Sequence, residues 1–467
     1  MSIQGQVKNI GLPPMGMKDL DPKETFIPFH VDLRNGVITR SGNWGKRNGY
    51  TEYRDTTADE SVNGLVSIDE GYAVTDLGKI FTLNVTPARV TPYDLNGIHR
   101  PTWVKFTDYF IIADGGTVTK VQGTTSTRLF EGIRPRYLGR VGAYTLYAGY
   151  DDTEFTWSAT NAPENVTTGD SGFANVKKTG DIKFARDFRN KWFIFKDNEI
   201  EIWHNRGGST PFVRLNELTI PVGLGASYSV VEANQTLYWI DPHKKGRVLN
   251  GANAQIITSQ YEGYLFDRIE NLDEVYGFNY EKENAIRWFS PIDGICIKYD
   301  YEKQLFSEDN HFEHGQYERL PHNSYMEFNG VQLFGDFDPT GKVFNWSSDY
   351  KDDNGTEIRV LRDFKVKLSE SGNQALVNRM RFMLKRGVDT TSETTPEMLF
   401  RWRFDEDSED IEWRTETISL GIGADVQPYV DIFSLGIGRT IHMQIIENDA
   451  VDFLLLGLLI TTKEMGI

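Results

Sequence analysis

Cysteine is almost absent from this 467-residue chain: Cys296 is the only one, so no disulfide can form within the chain. Stability must therefore come from packing and assembly. Cys296 lies between Ile295 and Ile297 in a strand-like run, which predicts a buried, small apolar side chain rather than a nucleophile. This cysteine usage is consistent with synthesis in the cytoplasm.

Long apolar runs and long helical periodicity are also lacking. The longest apolar run, residues 453–460, is too short to cross a bilayer and predicts a central strand of a C-terminal sheet. Residues 1–15 have no basic region followed by an apolar core, so no secretory signal is expected. Aromatic residues make up 13% of the chain and glycine occurs 43 times, a composition typical of many short strands joined by tight turns. The chain is therefore predicted to be all-β.

Basic residues are too few to balance the acidic ones, 50 against 67, which leaves a net charge of −17. This balance argues against a surface that holds nucleic acid by neutralising its phosphates. It does not exclude DNA passing nearby, because an acidic wall repels a polyanion and so prevents adhesion. Simple solubility is the alternative explanation of the charge.

The chain does contain a repeated unit. Residues 192–203 read WFIFKDNEIEIW: an aromatic apolar run, a Lys-Asp-Asn step, and a return leg in which apolar and polar residues alternate. Alternation with a period of two indicates a half-buried strand. Asp and Asn tolerate left-handed backbone conformations and so reverse the chain tightly. The pattern predicts a β-hairpin with Trp192 and Trp203 near its two open ends.

Six similar hairpins occur along residues 72–346, and an apolar pair precedes most of the seven, so that each repeat holds three or four strands. The aspartates that open the seven turns are Asp76, Asp114, Asp151, Asp197, Asp241, Asp293 and Asp338. They are 37 to 52 residues apart, a spacing typical of one propeller blade per repeat. The prediction is a β-propeller, and generic hairpins in a sandwich or barrel are the alternative.

The composition divides the chain into three regions. Residues 1–60 predict an extended arm with a short hairpin at Asn35-Gly36, which either docks on a neighbouring subunit or supplies a strand that closes the propeller. Residues 61–355 carry the repeats, and the charged, turn-rich stretch 349–357 is typical of a linker at a domain boundary. Residues 356–467 contain about six alternating strands and predict a small β-sandwich.

No catalytic, cofactor-binding or metal-ligating residue is predicted. The turn aspartates lack the spacing of a calcium loop, and the acidic stretch 405–410 is expected to be a solvated loop. Three histidines that are close in sequence are expected to be exposed rather than zinc ligands: His311, His314 and His322. Four hairpin tryptophans are expected to pack between blades rather than to stack on sugars: Trp192, Trp239, Trp288 and Trp346.

Three segments carry a resemblance to a known family. They are the pattern DLRNGVITRSGNWGKRNGY at residues 32–50, the line of hairpins, and a C-terminal module. In that module RWRFDEDSEDIEW (401–413) precedes a Ser-Leu-Gly step at Ser419, then IFSLGIGRTIHMQI (432–445) and a final apolar strand. The chain resembles the packaged-DNA stabilisation proteins of short-tailed bacteriophages, the tail hub or nozzle. It departs from that family in Phe433, where members more often have a cationic strand, and in its acidic rather than Gly-rich turn.

The resemblance implies a structural, non-enzymatic virion protein of the phage tail, made in the host cytoplasm. It implies a hexameric ring with a central channel through which DNA passes without sequence-specific binding. It also implies a portal adaptor or head-completion protein above the ring, and a fibre, needle or receptor-binding component below it. No stable membrane insertion is expected. The alternative function is a polysaccharide-binding or glycan-hydrolysing propeller, and a weaker one is a cell-surface adhesion module.

Overall fold

The computed structural model describes residues 6–10, 15–17, 29–39, 42–258, 262–369, 372–386, 395–405, 412–422 and 427–465. Within these residues the chain is almost entirely β. The described helices are one short α-helix and three 3-10 helices: Gly263–Asp267, Asn216–Leu218, Leu272–Glu274 and Glu281–Glu283. The predicted all-β class is confirmed.

Seven antiparallel sheets, counted over the described residues, form the blades of a β-propeller. The first strands pack together in five of the seven pairs of neighbouring blades, including blades seven and one, so the described blades surround a common axis. Blade one contains Val62–Val66, Tyr72–Thr75 and Ile80–Thr82, blade two contains Thr102–Lys105, Phe110–Ala113, Thr119–Gln122 and Thr125–Arg128, and blade three contains Tyr137–Val141, Tyr144–Ala148, Glu154–Trp157 and Gly172–Asn175. Blade four contains Ile182–Phe188, Lys191–Lys196, Ile200–Asn205 and Phe212–Arg214, and blade five contains Val231–Ala233, Thr236–Ile240, Gly246–Asn250 and Asn253–Ile256. Blade six contains Tyr276–Tyr280, Ala285–Ser290, Ile295–Asp300 and Leu305–Glu308, and blade seven contains His322–Phe328, Val331–Asp336, Lys342–Ser347 and Gly49–Asp55.

The propeller is closed by a strand that precedes all the others. Gly49–Asp55 pairs antiparallel with Lys342–Ser347, so the outer strand of blade seven comes from the chain just before blade one. Ladder hydrogen bonds thus tie the two ends of the repeat region together without a disulfide. Of the two roles left open for the N-terminal region, strand closure is the one seen for these residues.

The predicted hairpin of residues 192–203 is confirmed in detail. Lys191–Lys196 pairs antiparallel with Ile200–Asn205, and Trp192 is directly opposite Trp203. The other six hairpins form the second and third strands of their blades in the same way.

All seven turn aspartates lie in or beside the turn that joins the second strand of a blade to the third. Because the blades share one strand order, these turns lie at the same end of the propeller, here called the Asp-turn face. Three of the Asp carboxylates accept hydrogen bonds from backbone N–H groups of their own turns: Asp114 from Gly116 at 3.0 Å, Asp151 from Thr153 at 2.7 Å, and Asp241 from His243 at 2.8 Å. This self-capping is a physical reason for aspartate at these three turns.

The four hairpin tryptophans are buried in the packing between and within blades, as expected. Trp192, Trp239 and Trp288 are fully buried, and Trp346 is 1% exposed. Trp192 packs against the first strand of blade three so closely that a Cβ added at Gly139 would lie 2.2 Å from its Cζ3 atom. These tryptophans stabilise the blades and offer no platform to a sugar.

The C-terminal module consists of two sheets that share one hydrophobic core. The first sheet continues that of blade six and adds the strands Met15–Met17, Phe29–Arg34, Val360–Lys367, Glu397–Phe404, Arg414–Ser419 and Thr440–Glu447. The second sheet contains Gln6–Ile10, Gly36–Ile38, Trp44–Lys46, Ala375–Leu384, Tyr429–Gly438 and Leu454–Glu464. The N-terminal region therefore contributes strands to both sheets, and the module is joined to the propeller by a continuous sheet. Leu454–Glu464 has neighbours on both sides, which confirms the predicted central strand.

The charged stretch 349–357 is not a free linker, contrary to the expectation. Asp352–Asp353 and Thr356–Glu357 form a small hairpin that extends the sheet of blade seven. Asp353 is 2% exposed because it pairs with Arg47. A second small hairpin, His311–Glu313 with Gln316–Glu318, follows blade six.

Glu447 makes stability depend on pH. Burial raises the pKa of its carboxyl from 4.5 to about 7, against the attraction of Lys46, whose Nζ lies 2.8 Å from Oε2. As the pH rises from 4.5 to 7, the unfolded carboxyl loses its proton while the folded one keeps it. The free energy of unfolding therefore falls over this window, by roughly 3 kcal/mol, and is level above it.

We expect Glu447→Gln to remove this loss. Urea unfolding of both proteins at pH 5, 6, 7 and 8 measures it, and the difference between the two curves isolates Glu447 from the other titrating groups. A difference that stays constant from pH 5 to pH 8 would contradict the assignment.

Candidate functional site

A polar cavity of about 720 Å³ opens on the Asp-turn face. Its lining includes a residue at or just before the first strand of every blade: Asn63, Arg100, Tyr137, Ile182, Tyr228, Glu274 and Asn323. A cavity that touches all seven blades lies on the propeller axis, and we call it the axial funnel. Funnels of this kind concentrate polar loop residues around one point.

Carboxylates outnumber cations in the lining of the funnel. The acidic residues are Asp76, Asp151, Asp152, Asp181, Asp273 and Glu274, and the Lys and Arg residues are Arg100, Arg136 and Lys183. Burial, reinforced by Glu60, raises the pKa of Asp76, and burial followed by the charge of Arg136 lowers the pKa of His99. The mouth of the funnel is therefore acidic and repels polyanions.

Below the funnel, side chains from several blades form a partition. The Arg100 guanidinium donates to the Asn63 carbonyl at 2.9 Å and to Asn323 Oδ1 at 2.8 Å, and it lies 4.4 Å from the centroid of the Tyr276 ring. The Tyr228 hydroxyl donates to the Arg100 carbonyl at 3.3 Å. Arg100, Asn63 and Tyr228 also line a second cavity of about 280 Å³ beyond the partition.

Two of the seven turn aspartates, Asp76 and Asp151, line the axial funnel. Asp338 instead lines a cavity of about 560 Å³ between the turns of blades six and seven, here called the interblade cavity. Asp114 and Asp241 are buried within their own turns, and Asp197 pairs with Lys183 at 3.4 Å. The remaining one, Asp293, accepts from the Ser290 hydroxyl at 2.5 Å. The shared turn position does not create a shared site.

The three histidines are not brought together, and the expectation that all are exposed is wrong for His311 and His322. His314 is exposed, whereas His311 is half-buried, with Nδ1 3.2 Å from Asp353 Oδ2. His322 is 1% exposed among aromatic rings, with its ring centroid 3.7 Å from that of Phe334. Burial, together with Arg47 and Arg287, lowers the pKa of His322 well below 6.5, so it is a neutral core residue. Among the described residues, no group of three or more His, Cys, Asp or Glu residues is placed to hold a metal ion.

Two further expectations concern Cys296 and the acidic stretch 405–410. Cys296 is 1% exposed, and burial raises the pKa of its thiol well above 9.0, which confirms a packing role. In the acidic stretch 405–410 only Asp405 is described; its carboxylate accepts from the backbone N–H groups of Arg439 and Thr440 at 2.7 and 2.9 Å. The rest of that stretch lies outside the described residues.

Sequence reasoning missed one surface of the C-terminal module. Tyr429–Gly438 is an edge strand of the second sheet, and three of its apolar side chains are exposed: Tyr429, Phe433 and Ile437 are 38%, 63% and 46% exposed. Between them Arg381 makes a two-pronged ion pair with Asp431, both bonds 2.8 Å long. We call this the outer sheet face. Period-two alternation did predict the strand, but it does not say which of its faces is covered.

In the part of the chain that the structure describes, no helix is both long and apolar enough to span a membrane.

No protein-family model matches this sequence, and no curated protein matches it either. Among solved structures, the chain is similar to BamB from Moraxella catarrhalis, with 12% identity, a TM-score of 0.41, and coverage of 73% of this chain and 97% of that one. It is similar to PorZ, a surface component of the type-IX secretion system of Porphyromonas gingivalis, with 8% identity, a TM-score of 0.41, and coverage of 69% and 43%. It is also similar to Hsv2 from Kluyvelomyces marxianus, with 12% identity, a TM-score of 0.33, and coverage of 54% and 82%.

Proposed function

We propose that this chain is a structural, non-enzymatic protein of a bacteriophage tail, a hub or nozzle. Six copies form a ring between the portal adaptor and the distal tail parts, which include a fibre, needle or receptor-binding component. The ring retains packaged DNA and provides the channel for its ejection. The protein is made in the host cytoplasm and resides in the virion tail, without stable insertion into a membrane.

The observation that carries this proposal is the outer sheet face. An edge strand with exposed aromatic and aliphatic side chains is a hazard in a monomer, because unpaired backbone groups and apolar side chains recruit other chains. Here the edge strand Tyr429–Gly438 overlaps residues 432–445, one of the segments that carry the resemblance to the tail-hub family, although Phe433 itself departs from that family. A surface of this kind suits permanent contact between subunits.

The rest of the fold is compatible with a rigid structural role. The propeller is closed by Gly49–Asp55, and a continuous sheet joins blade six to the C-terminal module, so the two parts support each other. In this proposal the DNA channel lies between copies of the chain, because the contacts of Arg100 with Asn63 and Asn323 lie across the propeller axis. The net charge of −17 suits a channel wall to which DNA does not adhere.

Phe433→Glu tests the assembly surface. We expect the native protein to have a mass of about six times the 53.3 kDa chain, alone or with the adaptor protein, and the variant to remain a monomer. A charge placed in an apolar contact carries a desolvation penalty at every interface of the ring. Native mass spectrometry, with thermal unfolding to show that the fold is retained, measures both proteins.

Phe173→Glu is the matched control, because Phe173 is 59% exposed on the outer strand of blade three. This variant should assemble like the native chain. A native chain that stays monomeric even with the adaptor protein would contradict the proposal. The alternative of a polysaccharide-binding or hydrolysing propeller predicts glycan binding by a monomer, which a glycan panel on the same preparation measures.

A further inference from the structure

The interblade cavity combines aromatic rings with carboxylates. Tyr50 and Phe344 line it and are 4% and 5% exposed. Asp336 and Asp353 also line it and are 4% and 2% exposed, while Ile292 forms an apolar rim. The lining side chains are held by the sheet of blade seven and its small hairpin, so the walls of the cavity are preformed.

The Tyr50 hydroxyl is an unused polar group in this cavity. Within the described residues it has no hydrogen-bond partner, although the residue is almost completely buried. Burial, followed by the negative charge of Asp353, raises the pKa of the phenol well above 10.0, and Asp336 and Asp338 act in the same direction. The Tyr50 hydroxyl oxygen is not one of the fully buried, unsatisfied atoms of the described residues, so it borders the open space of the cavity, where a ligand or solvent can bond to it.

The carboxylates around the cavity are not balanced by cations. Asp338 pairs with Arg319, and Asp353 pairs with the buried Arg47. Asp336, Glu313 and Glu318 have no Lys or Arg within ion-pair distance among the residues described; Glu313 has only His311 and His314 nearby, at 3.8 and 3.9 Å. The cavity therefore carries an excess of negative charge beside two aromatic rings.

We propose that the interblade cavity binds an organic cation of the guanidinium or alkylammonium class. Carboxylates accept charge-assisted hydrogen bonds from such a group, and the Tyr50 hydroxyl can accept a further one. A bare metal ion does not fit, because no metal-holding group of His, Cys, Asp or Glu is found in the described part of the chain. A volume of about 560 Å³ accommodates an arginine side chain or a polyamine. This inference is independent of a role in a phage tail.

Two sources supply this chemistry: an arginine or lysine side chain of a peptide, and a free polyamine. Isothermal titration of the full chain with N-acetyl-arginine amide and with spermidine separates them. N-acetyl-citrulline amide is the neutral ligand of matched shape. We expect at least one of the two cations to bind at least tenfold more tightly than citrulline, with an affinity that falls as salt rises.

The rim carboxylates are tested by the double variant Glu313→Gln, Glu318→Gln. Both side chains are exposed on the small hairpin, so the fold is expected to persist, which thermal unfolding checks. Binding should weaken by roughly 5- to 20-fold. Asp336→Asn, at the buried wall, should weaken it by roughly 10- to 100-fold.

Glu164→Gln, an exposed acid on blade three, is the matched control and should leave binding unchanged. The proposal would be overturned if neither cation bound more tightly than the citrulline amide. So would an equal loss of binding in the Glu164 variant, or the absence of binding by both cations at millimolar concentration. A preference for spermidine alone identifies a polyamine site, and a preference for arginine alone identifies a peptide side-chain site.

Discussion

Replacing Arg47 by methionine is expected to lower the free energy of unfolding by about 3–5 kcal/mol, since the change strands a buried carboxylate. Arg47 and Asp353 both have fully buried side chains, and Nη1 donates to Asp353 Oδ1 at 2.8 Å. The same guanidinium donates to Asn35 Oδ1 and to the Asn310 carbonyl, each at 2.9 Å. One side chain thus connects the N-terminal region, blade six, and the hairpin on blade seven.

The midpoint of urea unfolding, followed by tryptophan fluorescence, measures this loss. Arg319→Met is the matched control, because its ion pair with Asp338 is exposed and should contribute less than about 1 kcal/mol. Adding Asp353→Asn to Arg47→Met should recover part of the stability, because the unpaired charge is then removed. An Arg47 variant as stable as the Arg319 variant would show that the Arg47–Asp353 ion pair does not stabilise the contact between the N-terminal region and the propeller.

The hairpins were predictable from sequence because their determinants are local. In each unit the period-two pattern selects the strands, and in blades two, three and five an aspartate that caps its own turn helps to select the reversal. Asp241 illustrates this, since its carboxylate accepts from the backbone N–H groups of both His243 and Lys245. Seven repeats of a local rule then predict a propeller.

The Arg47–Asp353 ion pair and the cavities were not predictable from the sequence, because they depend on residues that are far apart in it. Arg47 and Asp353 are 306 residues apart, and no pattern around either of them signals burial. His322 lies near two less buried histidines in the chain, yet its strand carries it into an aromatic core. The axial funnel is likewise assembled from single residues of seven blades, so its acidity depends on propeller closure rather than on any motif.

Replacing Trp192 by alanine is expected to lower the free energy of unfolding by about 3–5 kcal/mol, through lost burial and a cavity between blades three and four. Trp192 is fully buried in the core that these blades share, which also contains Phe155 and Trp203. The ring edge lies over Gly139, so that no side chain at position 139 fills the space that would be left. Urea unfolding of the native and variant chains measures the loss. Phe173→Ala, at an exposed site, should change stability by less than about 0.5 kcal/mol.

A double-mutant cycle separates specific packing from general loss of apolar area. Gly139→Ala alone should destabilise the native chain by roughly 1–3 kcal/mol, because its new Cβ would lie 2.2 Å from Trp192 Cζ3. In the Trp192→Ala background the same methyl group enters the vacated space, so the two changes should be non-additive by about 1 kcal/mol or more. Strict additivity would mean that the contact between Gly139 and Trp192 does not set the spacing of blades three and four.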